Sequence, residues 1–209
     1  MLTTIANELI KFPLKKRQPD VNKTLTTAAV LVILHGEDNN PHVVLTQRAL
    51  HLKSHPGEVA FPGGMWDHAD TNLLQTALRE ANEEIGLNPN SVKPLATLPA
   101  ASPKRREISV TPFVAIGLHD LELTADASET AAIFNVPLKI FLDIDQYQYF
   151  EIKTEMGTGD GVIRFPYLTY NNYKIWGFTL KVITDLLNAT LNAGIDLKYP
   201  SHITADNNN

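Results

Sequence analysis

Glu80, Glu83 and Glu84 stand at spacings that a helix turns into neighbours. Side chains three and four residues apart share one helix face, so the three carboxylates would lie together. Like charges repel, and the negative end of the helix dipole makes the repulsion worse. Hard divalent ions such as Mg²⁺ or Mn²⁺ take oxygen ligands and relieve such a cluster. Glu80, Glu84 and Glu83 are therefore candidate metal ligands. A Glu-rich helix end taken without its flanks reads more often as a solvated acidic face.

The helix that would carry them is legible. Leu74, Leu78, Ala81 and Ile85 recur at helical spacing and make an apolar stripe. Asp70 or Thr71 is expected to cap its start, since a short side-chain oxygen accepts an orphan backbone N–H there. Gly86 is placed to end it in the left-handed conformation. Upstream, Gly63-Gly64 allows a tight backbone path and close approach to a ligand.

The stretch from Gly64 through Arg79-Glu80-Ala81-Asn82-Glu83-Glu84-Ile85-Gly86-Leu87 resembles the signature of the Nudix hydrolases. That pattern ends in Arg-Glu-aliphatic-x-Glu-Glu-x-Gly-aliphatic. Asp70 stands at its first Glu position and Ala81 at its aliphatic position, and the gap from Asp70 to Arg79 is one residue longer. The resemblance implies an α+β fold, an α/β/α sandwich with a mixed β-sheet, and metal-assisted hydrolysis of a nucleoside diphosphate linked to another moiety. It implies catalytic roles for Glu83, Glu80 and Arg79, with Arg79 holding the glutamates by salt bridges. A backbone carbonyl of the glycine loop, from Gly64 or Gly63, would complete the metal shell. Glu129 matches a downstream position where several branches of the family keep a carboxylate that helps bind metal or activates water. The other reading of Glu129 is a helix-start charge favoured by the dipole.

A second match lies upstream. Leu45-Thr46-Gln47-Arg48-Ala49 leads to Phe61-Pro62-Gly63-Gly64 and resembles the motif of the coenzyme A pyrophosphatase subgroup. Val44, Ala49 and Lys53 replace the usual Leu, Ser and Arg. This resemblance implies a coenzyme A-like nucleotide substrate, cleaved to 3′,5′-ADP and (acyl-)4′-phosphopantetheine, with Arg48 and Lys53 as substrate-binding candidates. Arg105 and Arg106 are further candidates, because a planar guanidinium suits phosphate. A solvated basic loop is the other reading there. ADP-ribose, NADH or another nucleoside diphosphate derivative is the alternative substrate. A non-catalytic nucleotide-sensing domain is the rival of another class.

Composition sets bounds. The 209 residues are 44% hydrophobic and 20% charged, ordinary for a globular chain. The net charge of -5 argues against a general nucleic-acid or membrane-surface binder. A bound metal and a few local cations still let one site accept an anion. No cysteine is present, which excludes disulfides and thiol nucleophiles. No cleavable signal is read at the start, and the apolar run 28–34 is too short to span a bilayer. A cytoplasmic location is expected, and a homodimer is left open.

The expected organisation is an N-terminal helix and connector over 1–24, a Nudix domain over 25–200 and a disordered tail over 201–209. Leu2, Ile5, Leu9 and Ile10 pattern the first helix, and Lys15-Lys16-Arg17 is a basic run that is either solvated or near phosphates. Strands are expected over 26–34, 43–47, 59–61, 93–98, 110–116, 147–152 and 162–170. A turn is expected over 157–161, a helical turn over 126–129 and a last helix over 176–191. Trp176 reads as core or as an adenine platform.

Overall fold

The computed structural model describes residues 1–18, 26–101, 108–156 and 159–199, with backbone alone over 153–161. The expected tail, Arg105, Arg106 and the first part of the 157–161 turn lie outside the described residues.

β1 (Thr26–Glu37) is the axis of the molecule. Its alternation sends Ala29, Leu31 and Ile33 to one face and Val32 and Leu34 to the other, and all five are fully buried. A strand buried on both faces reads as a continuous apolar run, which is what Ala28–Leu34 is. β1 turns into β2 (Asn40–Arg48) and pairs with it antiparallel from Glu37↔Asn40 to Leu34↔Val43. On its other edge it pairs parallel with β6 (Ile108–Gly117), which in turn pairs with β5 (Val92–Thr97). β7 (Thr130–Pro137) lies on the outer edge of β2. The mixture of parallel and antiparallel pairs in one seven-stranded sheet is the expected α+β architecture.

Beyond Val43 the two central strands part, and the 59–65 segment fills the opening. β3 (Val59–Ala60) pairs with β2, and β4 (Gly63–Met65) pairs with β1. α2 (Leu73–Ile85) covers one sheet face with Leu74, Ala77, Ala81 and Ile85. The opposite face is covered by α1 (Leu2–Leu9) and α3 (Gly177–Leu191), with Ile5, Leu9, Leu180, Ile183 and Leu187 buried. Between β7 and α3 runs a separate three-stranded sheet, β8 (Gln148–Met156), β9 (Gly159–Tyr170) and β10 (Tyr173–Trp176). No described helix is long and apolar enough to cross a membrane.

The start of α2 differs from expectation. Asn72, not Asp70 or Thr71, is the cap: its backbone is extended and its side chain accepts from the Leu74 and Gln75 amides at 3.1 and 3.2 Å. Asp70 is drawn away by an arginine, and the Thr71 amide and hydroxyl both donate to Gln75 Oε1. Asn72→Ala is expected to cost about 1 kcal/mol. A thermal melt should register it as a loss of about 2–4 °C in a chain of this size. At the other end Gly86 takes φ 64°, and its N–H reaches the Ala81 and Asn82 carbonyls, as expected.

Candidate active site

The glycine loop is stitched to β1. Leu31 N–H donates to Pro62 O at 2.9 Å and Trp66 N–H to Thr27 O at 3.0 Å, with the β4 pairs between them. This close approach leaves no room for side chains. Gly63 has φ 152°, and a Cβ there would collide with the backbone of Ala29 and Val30. A Cβ on Gly64 would collide with the Glu80 carboxylate, so the loop and the α2 glutamates touch at that atom.

Arg79 is the hub of the α2 side. Its Nε donates to Asp70 Oδ1 and one terminal nitrogen to Asp70 Oδ2, both at 3.0 Å. The same nitrogen reaches Met65 O at 3.1 Å. The other donates to Glu80 Oε1 at 2.8 Å and Glu83 Oε2 at 2.9 Å. One planar guanidinium thus ties the loop after Gly64 to two helix carboxylates, which a point-charge ammonium could not do. Burial by itself would raise the Asp70 carboxyl. The bonds from Arg79, with those from Asp67 and Thr76, outweigh it and hold the group below the usual carboxylate range. Arg79 is in turn held firmly charged, first by its hydrogen bond to Asp70.

The three glutamates sit at graded depth: Glu83 is 57% exposed, Glu80 16% and Glu84 7%. Glu84 points beneath the loop, where Oε2 accepts the Gly63 amide at 3.0 Å and Oε1 lies 3.9 Å from Arg48. Burial pushes its carboxyl up to about 7, and Glu80 and Glu129 add to the shift against the pull of the Gly63 amide and Arg48. Glu80 is also raised, by burial first and then by Glu83 and Glu129. Glu129 reaches this neighbourhood through one turn. Its amide and that of Thr130 both bond to Asp126 O, while Asp126 N–H donates to Glu84 O and Ala49 N–H to Glu129 O. That turn does not continue as a helix, because β7 begins at Thr130.

A family model described as the NUDIX domain matches residues 25–154, more than half of the chain. The chain belongs to the Nudix hydrolase family. Curated relatives agree. An uncharacterized Nudix hydrolase NudL from Escherichia fergusonii is 36% identical over 186 residues, 88% of this chain and 93% of its own length. A NudL from an Enterobacter species is 38% identical over 160 residues, 76% of this chain and 80% of its own. Among solved structures, a MutT/nudix family protein from Enterococcus faecalis aligns with a TM-score of 0.52 at 14% identity, over 84% of this chain and 65% of that one. At that identity the likeness speaks for the fold alone.

This Nudix hydrolase brings some of the expected residues together and leaves others apart. Arg79, Glu80, Glu83, Glu84, Gly64, Glu129 and Arg48 form one neighbourhood. Lys53 is exposed on the 49–58 loop, and Lys15, Lys16 and Arg17 are exposed as well. Arg17 contributes its carbonyl, which accepts the Leu73 amide at the start of α2. Trp176 is half-buried, edge-on to Phe150 and Phe165 on the small sheet rather than in the main core. Two contributors carried no sequence signal. Met65 supplies a carbonyl to Arg79, and Trp66 Nε1 donates to Asp70 O at 3.3 Å.

Among the described residues, no three His, Asp or Glu side chains stand gathered as a finished metal shell. Arg79 holds one oxygen of Glu80 and one of Glu83. Glu80 Oε2 and Glu84 Oε1 carry no hydrogen bond among the described residues. Two carboxyls raised by burial, Glu84 with Glu80 adding to its shift, lie against the glycine loop and fit a hard cation. Such an ion takes oxygen donors and reverses the local charge.

Proposed function

We propose that this Nudix enzyme hydrolyses the diphosphate bond of coenzyme A or its derivatives, releasing 3′,5′-ADP and (acyl-)4′-phosphopantetheine. The observation that supports it best is the position of Arg48. This arginine belongs to the subgroup motif, and it lies 3.9 Å from Glu84 with the 49–58 loop running on from it. It stands between the acidic site and the loop that would meet the substrate, where a guanidinium can take a diphosphate oxygen in two parallel bonds.

Nudix enzymes generally need divalent ions, and Glu80 and Glu84 with Glu83 and the Gly64 carbonyl would hold Mg²⁺ or Mn²⁺ here. Such an ion neutralises phosphate charge and lowers the pKa of a water. The chain's own groups do the rest. Arg79 keeps Glu80 and Glu83 oriented, Glu84 backs the loop through the Gly63 amide, and Glu129 accepts a proton from the attacking water. Arg48 and Lys53 bind the diphosphate; Arg105 and Arg106, outside the described residues, are the sequence's candidates for the 3′-phosphate.

The test is product analysis with Mg²⁺ or Mn²⁺ on coenzyme A, ADP-ribose and NADH, beside Glu84→Gln. Release of 3′,5′-ADP from coenzyme A, lost in the variant, supports both reaction and substrate. Preferred cleavage of ADP-ribose or NADH keeps the reaction and discards the substrate. No cleavage of any of them overturns the reading. The loop contact gives a separate prediction. Gly64→Ala displaces Glu80, and a misplacement on the ångström scale lowers kcat on the order of 10²-fold. Steady-state kinetics would read it, with KM little changed.

A further inference from the structure

His35 and His42 stand seven residues apart, a spacing that signals nothing in the sequence. The β1–β2 hairpin makes them cross-strand partners, with ring centres 6.0 Å apart. Partners across an antiparallel pair share one sheet face. Each ring occupies room that a glycine leaves. A Cβ on Gly36 would come 3.3 Å from His42 Nδ1, and one on Gly117 would come 3.1 Å from His35 Cβ. The glycine loop pairs with β1 at Ala28–Val30, so about 16 Å of strand separates it from His35.

Both imidazoles have a lone pair to give. His35 Nε2 bonds to Asn135 Oδ1 at 2.9 Å. An amide oxygen only accepts, so Nε2 carries the proton and Nδ1 keeps its lone pair. A ring N–H held by an oxygen on one side, with the other nitrogen turned to a ligand, is the arrangement of metal-bound histidines. Burial first, and then His35, hold His42 below the usual histidine value, against a bond with the Asn40 backbone. The ring is therefore uncharged near neutrality, which is the form that binds a metal. A third donor lies two residues before His42 on the same face of β2. Asn40 Oδ1 is buried and has no hydrogen-bond partner among the described residues. Buried polar atoms nearly always have one, and an oxygen without it suits a cation.

We propose that His35, His42 and Asn40 Oδ1 form a metal site of their own, for an ion that favours imidazole, such as Zn²⁺, with water in the fourth position. The donors set it apart in kind from the acidic site. Imidazole suits Zn²⁺, Cu²⁺ and Ni²⁺, whereas carboxylate and backbone carbonyl suit Mg²⁺ and Mn²⁺. A four-coordinate shell of nitrogen and oxygen donors with one open position is usual for Zn²⁺. The ion staples β1 to β2 and, through the His35 bond to Asn135, holds both to β7.

Calorimetric titration with Zn²⁺ tests this, in a large excess of Mg²⁺ that keeps the acidic site filled. The wild type is expected to take one Zn²⁺ per chain at this hairpin. His35→Gln and His42→Gln should each lose that binding, Asn40→Leu should weaken it, and Glu84→Gln should keep it. Thermal melts give a second readout. Zn²⁺ at roughly 100 times its Kd should raise the melting temperature of the wild type by about 5–10 °C and leave the two histidine variants unmoved. Melts without Zn²⁺ confirm that each variant is folded. A wild type that binds no Zn²⁺ beside Mg²⁺, or an unchanged affinity in any of the three hairpin variants, overturns the proposal.

Discussion

Glu84→Gln is expected to abolish most of the hydrolysis while making the ion-free protein more stable at alkaline pH. The amide keeps an oxygen for the Gly63 N–H, so the loop stays anchored. What it loses is a charged oxygen donor to the metal. Metal-borne charge stabilisation is worth several kcal/mol in the transition state, and each 1.36 kcal/mol is tenfold. The loss in kcat is then about 10³-fold. The stability effect has the opposite sign. The folded carboxyl titrates at about 7 and its ordinary value is 4.5, so between those pH values the folded state holds a proton that the unfolded state has released. Stability from this group is therefore lost as pH rises through that window. Glutamine has no such slope. Melts in chelator at pH 5 and pH 8 should show the variant gaining on the wild type by an amount on the order of 2–3 kcal/mol. A constant gap would mean that Glu84 is already ionised in the ion-free fold and that burial does not hold its proton.

The helix α2 was legible because its information is local. A stripe at Leu74, Ala81 and Ile85 and a glycine at its end need only helical periodicity and the left-handed conformation. The central strand was legible because Ala28–Leu34 is an unbroken β-branched and aliphatic run, too short for a buried helix and right for a strand covered on both faces. The cap was misread because Asp70, Thr71 and Asn72 are all good caps, and the choice among them is made by Arg79, nine residues beyond Asp70. The strand Thr130–Pro137 carried no expectation, since its exposures alternate poorly and Asn135 interrupts it; its place is fixed by pairing with β2 across the fold. The depth of the glutamates was equally hidden. Spacing shows Glu80, Glu83 and Glu84 on one face, but only the loop laid over Glu84 makes it buried and Glu83 exposed.

Arg79→Ala is expected to be the most destabilising single change in the site. The Asp70 side chain is 1% exposed and takes two bonds from the guanidinium. Removing the arginine leaves that charge buried with only the Asp67 amide and Thr76 near it. Breaking a buried pair from one side costs about 3–5 kcal/mol, and the 29% exposure of Arg79 lets water offset part of it. A cost of about 2–3 kcal/mol lowers the melting temperature by about 5–10 °C. Asp70→Asn in the same background removes the orphaned charge and should recover much of the loss, a coupling that a double-mutant cycle measures. The pH dependence separates this pair from Glu84. The folded Asp70 carboxyl lies below its ordinary value, so its contribution is present above that value and fades as pH falls through the folded one. The gap between wild type and Arg79→Ala should therefore narrow in acid. Arg79→Lys keeps the charge but not the fork, and so cannot hold Asp70, Met65 O, Glu80 and Glu83 at once. Its kcat should fall well below the wild type while its melting temperature lies between the wild type and Arg79→Ala. Equal melting temperatures for wild type and Arg79→Ala would show that the guanidinium does not hold the loop to the helix.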